Sequence, residues 1–167
     1  MSTANESSIW ETISDTPLTP MILETMYGYP IMEIIHIFGF VIMVGSIALL
    51  DVRVLGFAQH LSVKMLARFL LPWTFIGFGI SLIAGGTLFV VKAPEWVLLP
   101  IFQFKMALLI LGGINAGVFH FGAYNRVDQW DCNIVAPIDA RLGAALSLLI
   151  WATALACGRL LAYFGLG

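Results

Sequence analysis

Charged residues are scarce in this chain of 167 residues: Asp, Glu, Lys and Arg make up 11% of it, against 60% for hydrophobic residue types. A soluble domain of this length could not cover so much apolar surface with so few charges. The formal net charge is −2 and no basic stripe is present, so we expect no nucleic-acid partner. The composition therefore indicates an integral membrane protein whose surroundings are the lipid bilayer.

The chain also lacks the sequence patterns of several catalytic and metal-binding classes. It contains no hydrolytic triad signature, P-loop or zinc motif, and no Met-rich or Cys-rich track. Cys132 falls in a predicted loop and Cys157 in a predicted helix, so we expect neither a disulfide nor a metal pair between them. Residues 1–28 contain no Lys or Arg, which argues against a signal peptide.

Long apolar runs are the dominant feature of the sequence. A transmembrane helix needs roughly 20 mostly apolar residues. Four segments meet this requirement, at about residues 31–50, 69–91, 101–121 and 142–164. Their short connections predict an all-α, up-down-up-down four-helix bundle that occupies residues 29–167.

The distribution of Lys and Arg predicts the orientation of the bundle. The first connection holds Arg53, Lys64 and Arg68. The third holds Arg126, with Arg141 at its end, whereas the second contains one Lys. These cations are interpreted as ordinary cytoplasmic anchors. We therefore expect a multi-pass membrane protein with both termini on the non-cytoplasmic side.

The N-terminal segment, residues 1–28, precedes the first predicted span. It carries acidic residues and no basic ones, and a short acidic tail crosses a membrane easily. Hydrophobic residues recur at helical spacing in two pieces, which Pro17 and Pro20 separate. We expect two short amphipathic helices on the outer face of the membrane, and a flexible tail is the alternative.

Ionisable residues inside the predicted spans are the most informative feature, because such residues are rare in lipid and usually functional. Glu33 and His36 fall in the first two turns of the first span. Lys105 falls in the second turn of the third span, at a depth similar to that of His36, roughly 6–8 Å inside. Arg159 lies about one turn from the end of the fourth span, with Tyr163 one turn further on the same face. These residues predict one cluster at the outer end. Snorkelling to the interface is the alternative for the two cations.

A second polar group is predicted at the cytoplasmic end, where His60 and His120 could meet, with Asn115 nearby. Helix geometry puts His36 roughly 20 Å away from them. The second span is narrow where it has no side chains, at Gly77, Gly79, Gly85 and Gly86. Small residues either let helix backbones approach or leave room for a flat cofactor, and both readings stay open.

The chain resembles, over residues 29–164, a bacterial family of four-helix inner-membrane proteins that is catalogued as a domain of unknown function. The segments that carry the resemblance are YPIMEIIH at 29–36, DVRVLG at 51–56, LPW at 71–73, the spacing from 105 to 115, and SLLIW at 147–151 leading to GRLLAY at 158–163.

More distantly, the layout is similar to the copper-resistance D-type membrane proteins and to the membrane protoporphyrinogen oxidase that binds haem b. Both groups have an early-helix histidine and a lysine on a later helix, which match His36 and Lys105. Where the haem group has a later-helix histidine, this chain has Asn115, with His120 further on. The resemblance implies a haem site that departs from the simple histidine pair.

The favoured hypothesis is a b-type haem protein that transfers electrons between haem and the quinone pool or a periplasmic redox partner. His36 would be an axial ligand, and Lys105 and Arg159 would pair with haem propionates. A second haem, if there are two, would lie between His60 and His120. The remaining members of the candidate cofactor site are Glu33, Tyr163 and Asn115. If the protein is an enzyme, it is an oxidoreductase subunit of this kind.

Two other functions are open at this point. The first is a transporter or channel for a small anion or metal, with Lys105 and Arg159 along the pathway. Because four helices make a narrow bundle, a pore would require a homo-oligomer. The second is a non-redox accessory subunit whose polar clusters serve docking and packing. A quinone headgroup is the next candidate ligand for the outer cluster.

Overall fold

The computed structural model describes residues 3–164. Within them the chain forms six α-helices and one 3₁₀ helix, and no strand. The α-helices are α1 (Thr3–Ser14), α2 (Leu18–Leu23), α3 (Gly28–Val54), α4 (Val63–Trp96), α5 (Pro100–Phe121) and α6 (Ile138–Phe164); the 3₁₀ helix, Ala123–Gln129, lies between α5 and α6. The helices α3 to α6 are long and apolar enough to cross a membrane. The predicted all-α four-helix membrane bundle is therefore confirmed.

Three of the four helices are noticeably longer than the apolar runs that predict them. The helix α4 begins at Val63, well before residue 69, because Ser62 caps it: the Oγ of Ser62 accepts a hydrogen bond from the Met65 amide at 3.1 Å. At its other end α4 is kinked at Lys92, two residues before Pro94. Proline has no backbone N–H and therefore cannot donate the usual helical hydrogen bond. Apolar runs mark only the part of each helix that matches the bilayer, so they miss these polar ends.

The helices pack in the order α4, α3, α6, α5. Extensive interfaces join α3 to α4 and α5 to α6, and a smaller one joins α3 to α6. Across the described residues, α4 and α5 share no comparable interface. At one end the two helices are in contact, where the rings of Phe89 and Phe102 stack with centroids 5.4 Å apart. The main interfaces of the bundle are therefore those of α3 and α6, both with each other and with α4 and α5.

Glycines allow the close approach of α3 and α4. A Cβ atom added to Gly39 would lie 2.7 Å from the backbone nitrogen of Ser81, and one added to Gly77 would lie 2.6 Å from the carbonyl oxygen of Gly39. Any side chain at either position would push the two backbones apart. For this pair of glycines the close-packing reading is correct.

The bundle has a terminal end, where the N-terminal helices lie, and a loop end. The terminal end contains α1, α2, the start of α3 and the α4–α5 connection; the loop end contains the turn of residues 55–62, the 3₁₀ helix and the loop before α6. The N-terminal helix α1 is docked at the terminal end: the Trp10 ring meets the edge of Phe89, and the Ser14 hydroxyl donates to the Val90 carbonyl at 3.0 Å.

Candidate functional site

His36 is fixed against α4 by hydrogen bonds to a single residue. Its Nδ1 lies 2.8 Å from the carbonyl oxygen of Ser81 and 3.1 Å from the hydroxyl of the same residue. A carbonyl oxygen can only accept a hydrogen bond, so Nδ1 carries the proton. In the neutral imidazole the lone pair is then on Nε2. The structure thus assigns the tautomer of His36 and leaves its Nε2 without a partner among the described residues.

Gly85 makes room for the His36 ring. A Cβ atom at Gly85 would lie 2.7 Å from both Nδ1 and Cε1 of His36, which is too close for any side chain. The next residue, Gly86, has no atom within 4 Å of the corresponding position. One glycine of this pair is therefore needed for the ring, whereas its neighbour packs against nothing in the described part of the chain.

His36 and Lys105 lie above the same layer of packed side chains. Phe40 follows His36 by one turn of α3, and Leu108 follows Lys105 by one turn of α5. Both belong to one buried cluster, which also includes Trp151 of α6. Since α3 and α5 run in the same direction, His36 and Lys105 are level with each other. The charge of Lys105 is within electrostatic range of His36.

Lys105 is half-buried and extends toward α6. Its Nζ lies 3.5 Å from the position that a Cβ on Gly158 would occupy, and its charge is within range of the Cys157 thiol. Within residues 3–164, Lys105 has no hydrogen bond and no ion pair. The glycine on α6 leaves space for the amine, and nothing in the described chain neutralises it.

The other members of the predicted outer cluster differ in how far they are buried. Glu33 is half-buried, one turn before His36, and within electrostatic range of both His36 and Tyr29. Arg159 and Tyr163 lie on the exposed face of α6. His36 therefore has Glu33 and Lys105 within electrostatic range, whereas Arg159 and Tyr163 are exposed at the same end.

The predicted residues of the loop end form no single site. The Asn115 side chain donates to the Gly143 carbonyl at 3.1 Å and so joins α5 to α6. His120 is exposed and stacks on Tyr124, with ring centroids 4.9 Å apart. His60 is exposed in the turn after α3, where its carbonyl accepts from Cys132.

No hydrogen bond or ring contact joins His60 to His120 in the part of the chain that the structure describes. The same residues contain no group of three or more His, Cys, Asp and Glu side chains that could hold a metal ion. A haem needs only one or two such ligands, so this finding concerns bare metal sites alone.

Arg53 is the residue that the sequence interpretation placed wrongly. It is 2% exposed, and it is therefore not a snorkelling anchor. It donates to the carbonyl oxygens of Leu61 at 2.7 Å, Gln59 at 3.0 Å and Asp131 at 2.9 Å, while its Nη1 is buried without a partner in the described chain.

Asp131 belongs to the same cluster, which links the turn of residues 55–62 to the loop before α6. Its carboxylate accepts from the Ser62 hydroxyl at 2.8 Å and from the Lys64 amide at 2.8 Å. Since the loop residues are far apart in the sequence, no local pattern could have identified this cluster. Of the segments that carry the family resemblance, DVRVLG at residues 51–56 is the one that includes Arg53.

Two cavities lie at the ends of the molecule. One, of about 580 Å³, is formed by the residues that link α1 to α2, and the other, of about 220 Å³, lies beside Trp130 at the loop end. Neither is lined by His36 or Lys105. Neither cavity is therefore placed to hold a ligand of these two residues.

In comparisons with known proteins, no protein-family model, no curated protein and no solved structure matches the chain. The resemblances drawn from the sequence motifs stay predictions, and function has to be argued from the chemistry of the site.

Proposed function

We propose that the protein is a b-type haem protein of the bacterial inner membrane, which transfers electrons between haem and the quinone pool or a periplasmic redox partner. The observation that carries the proposal is the hydrogen bond from His36 Nδ1 to the Ser81 carbonyl. A histidine that ligates a metal through one ring nitrogen usually donates a hydrogen bond from the other, which fixes both the tautomer and the ring orientation. An idle histidine inside a membrane helix is costly, and this one has an available Nε2.

The residues around His36 fit a haem in chemistry. Haem b needs a nitrogen ligand for iron and cations for its two propionates. His36 would supply the nitrogen, and Lys105 and Arg159 are the cations nearest this end of α5 and α6. When bound, haem supplies one-electron transfer. The chain itself would supply the ring nitrogen and balance the propionate charge.

A quinone headgroup is the second candidate ligand, and a specific observation favours it. The site offers a hydrogen-bond acceptor, His36 Nε2, at the same level as a donor, Lys105 Nζ. A hydroquinone presents the complementary groups. The transporter and accessory-subunit hypotheses stay predictions.

The absorption spectrum of the detergent-purified protein tests the proposal. We expect a Soret band and, on reduction, sharp α and β bands, because these are the bands of six-coordinate low-spin haem. Colourless protein from cells well supplied with haem would contradict the haem proposal. The quinone candidate would then be tested by measuring whether a purified short-chain quinone binds.

The proposed orientation places both termini in the periplasm and the loop end in the cytoplasm, as the Lys and Arg bias indicates. Cys132 is exposed at the loop end, and Cys157 is buried. In intact cells, a membrane-impermeant thiol reagent should label a Glu11→Cys variant and should not reach native Cys132. Labelling of Cys132 would reverse the orientation.

A further inference from the structure

We propose that the cavity of about 220 Å³ at the loop end binds the phosphate group of a membrane lipid. This inference is independent of the ligand of His36, because the cavity lies at the opposite end of the bundle and is lined by other residues. It rests on the position of the cavity, on the chemistry of its lining and on an unsatisfied hydrogen-bond donor of Trp130.

The cavity lies at the level of the lipid headgroups. It is formed by the end of the 3₁₀ helix and the loop before α6, which connect two helices long enough and apolar enough to cross a membrane. Helices of that length end close to the headgroup region. The loop also has apolar side chains that are more than half exposed, namely those of Ile134, Val135 and Ile138. Such a patch favours contact with lipid over contact with water.

The lining of the cavity has a polar side and an apolar side. None of its six residues is acidic: they are Arg126, Gln129, Trp130, Ile134, Val135 and Pro137. Each of the three polar side chains carries at least one N–H donor, and no carboxylate among the lining residues would repel a phosphate. The lining therefore matches a ligand with an anionic head and an apolar body.

Trp130 provides the observation that points to a bound acceptor. The residue is 3% exposed, yet its Nε1 donor is buried without a hydrogen-bond partner among the described residues. Buried donors of this kind almost always have a partner, in the protein or in a molecule bound to it. Because Trp130 lines the cavity, a phosphate oxygen bound there would be the acceptor that the indole lacks.

Arg126 supplies the positive charge. Its Nη2 donates to the Asp139 carboxylate at 2.6 Å, and the pair is exposed on both sides. Among the described residues, no hydrogen bond is formed by its Nε or Nη1. A guanidinium binds phosphate through two parallel hydrogen bonds. The ion pair with Asp139 therefore leaves one edge of the guanidinium available for a phosphate.

The start of α6 adds to the positive potential of the cavity. The first backbone hydrogen bond of this helix runs from the Arg141 amide to the Pro137 carbonyl, at 3.1 Å. The amides of residues 138–140 therefore have no acceptor within the helix. Pro137 lines the cavity, so these amides lie beside it. Free amides and the positive end of the helix dipole both favour an anion at this place.

The melting temperature of the detergent-purified protein tests the inference, because a lipid that binds the folded state raises it. The probe is dioleoyl phosphatidic acid, and dioleoylglycerol is the matched lipid without phosphate. Phosphatidic acid should raise the melting temperature, and dioleoylglycerol should not. In Arg126→Ala the affinity obtained from the concentration dependence should fall about 10–100-fold, because hydrogen bonds from a charged group are lost. An equal effect of the two lipids would refute a phosphate site.

Arg141→Ala is the matched control for a general attraction between cations and anionic lipid. Arg141 is exposed in the first turns of α6 and does not line the cavity. This variant should bind phosphatidic acid as tightly as the wild type. Equal loss of affinity in the two arginine variants would overturn the inference.

Val135→Trp tests the site without removing a charge. Since Val135 is exposed and lines the cavity, a larger side chain there should fill the cavity and abolish the effect of phosphatidic acid. The melting temperature of this variant without lipid shows whether it folds. Excess inorganic phosphate should not compete with the lipid, because it lacks the acyl chains. Unchanged lipid binding in folded Val135→Trp would refute the cavity as the site, and competition by inorganic phosphate would replace the lipid by free phosphate as the ligand.

Discussion

At the loop end, Arg53 is almost completely buried, and three backbone carbonyl oxygens accept its hydrogens. At the terminal end, His36 binds Ser81 through one ring nitrogen, while its other nitrogen and the Lys105 amine have no partner in the described chain. Both ends contain ionisable residues of membrane helices that connect separate segments of the chain, but the terminal end in addition has an imidazole nitrogen and an amine that bind nothing in the described chain.

The difference separates structural polar groups from functional ones. A buried polar group that is hydrogen-bonded stabilises the fold by a modest amount, and removing it leaves its partners unsatisfied. A polar group of a membrane helix that has no partner and is not fully enclosed by the protein is free to bind a ligand. In the described chain His36 Nε2 and the Lys105 amine are such groups, whereas most of the Arg53 guanidinium is taken up by hydrogen bonds of the architecture.

The largest expected effect is on stability, at the loop end. Arg53→Ala should lower the free energy of unfolding by about 3–5 kcal/mol, since it removes three hydrogen bonds of a charged group and opens a cavity at an almost completely buried position. Denaturation of the detergent-purified variant, followed by circular dichroism, would measure the change. The haem spectrum of the variant that remains folded should match the wild type, because Arg53 is far from His36.

Arg126→Ala is the matched control for this variant. Arg126 is an arginine of the same end, and its ion pair with Asp139 is exposed on both sides. An exposed pair contributes about 0–1 kcal/mol, so the control should be nearly neutral. Equal destabilisation by the two substitutions would show that burial of Arg53 has no special role.

A smaller effect, confined to ligand binding, is expected at Gly85. Gly85→Ala should displace the His36 ring from Ser81 and weaken haem binding by about 10–100-fold, the range found for residues that orient metal ligands. Titration of the haem-free protein with haem would give the change in affinity. Gly86→Ala adds the same methyl group one residue further on, where it meets no atom within 4 Å. If the two variants bind haem equally, the ring position is not set by Gly85.

The sequence predicts the four membrane helices because their apolar runs match the thickness of a bilayer. It also places His36 and Lys105 at one level, since helix rise alone relates their positions to the helix ends. The partner of His36 could not be predicted in this way. Ser81 and Gly85 lie on a different helix, and their facing His36 depends on how α3 and α4 pack.

Arg159 shows why the face of a helix is harder to predict than its span. Small residues follow two stripes of α6, and the sequence does not distinguish them. The stripe of Ala152, Ala156 and Arg159 is exposed, whereas Ala144 and Ala154 of the other stripe are buried against neighbouring helices. Packing, rather than residue size, determines which stripe faces inward.

The absorption spectrum of His36→Ala tests the central claim most directly, with His120→Ala as its control. The account predicts that His36→Ala inserts in the membrane but loses the Soret band that the wild type shows, because the substitution removes an iron ligand. His120→Ala should have a smaller or separate effect, because His120 stacks on Tyr124 near the opposite end of the bundle. Full haem content and an unchanged spectrum in His36→Ala would contradict the account.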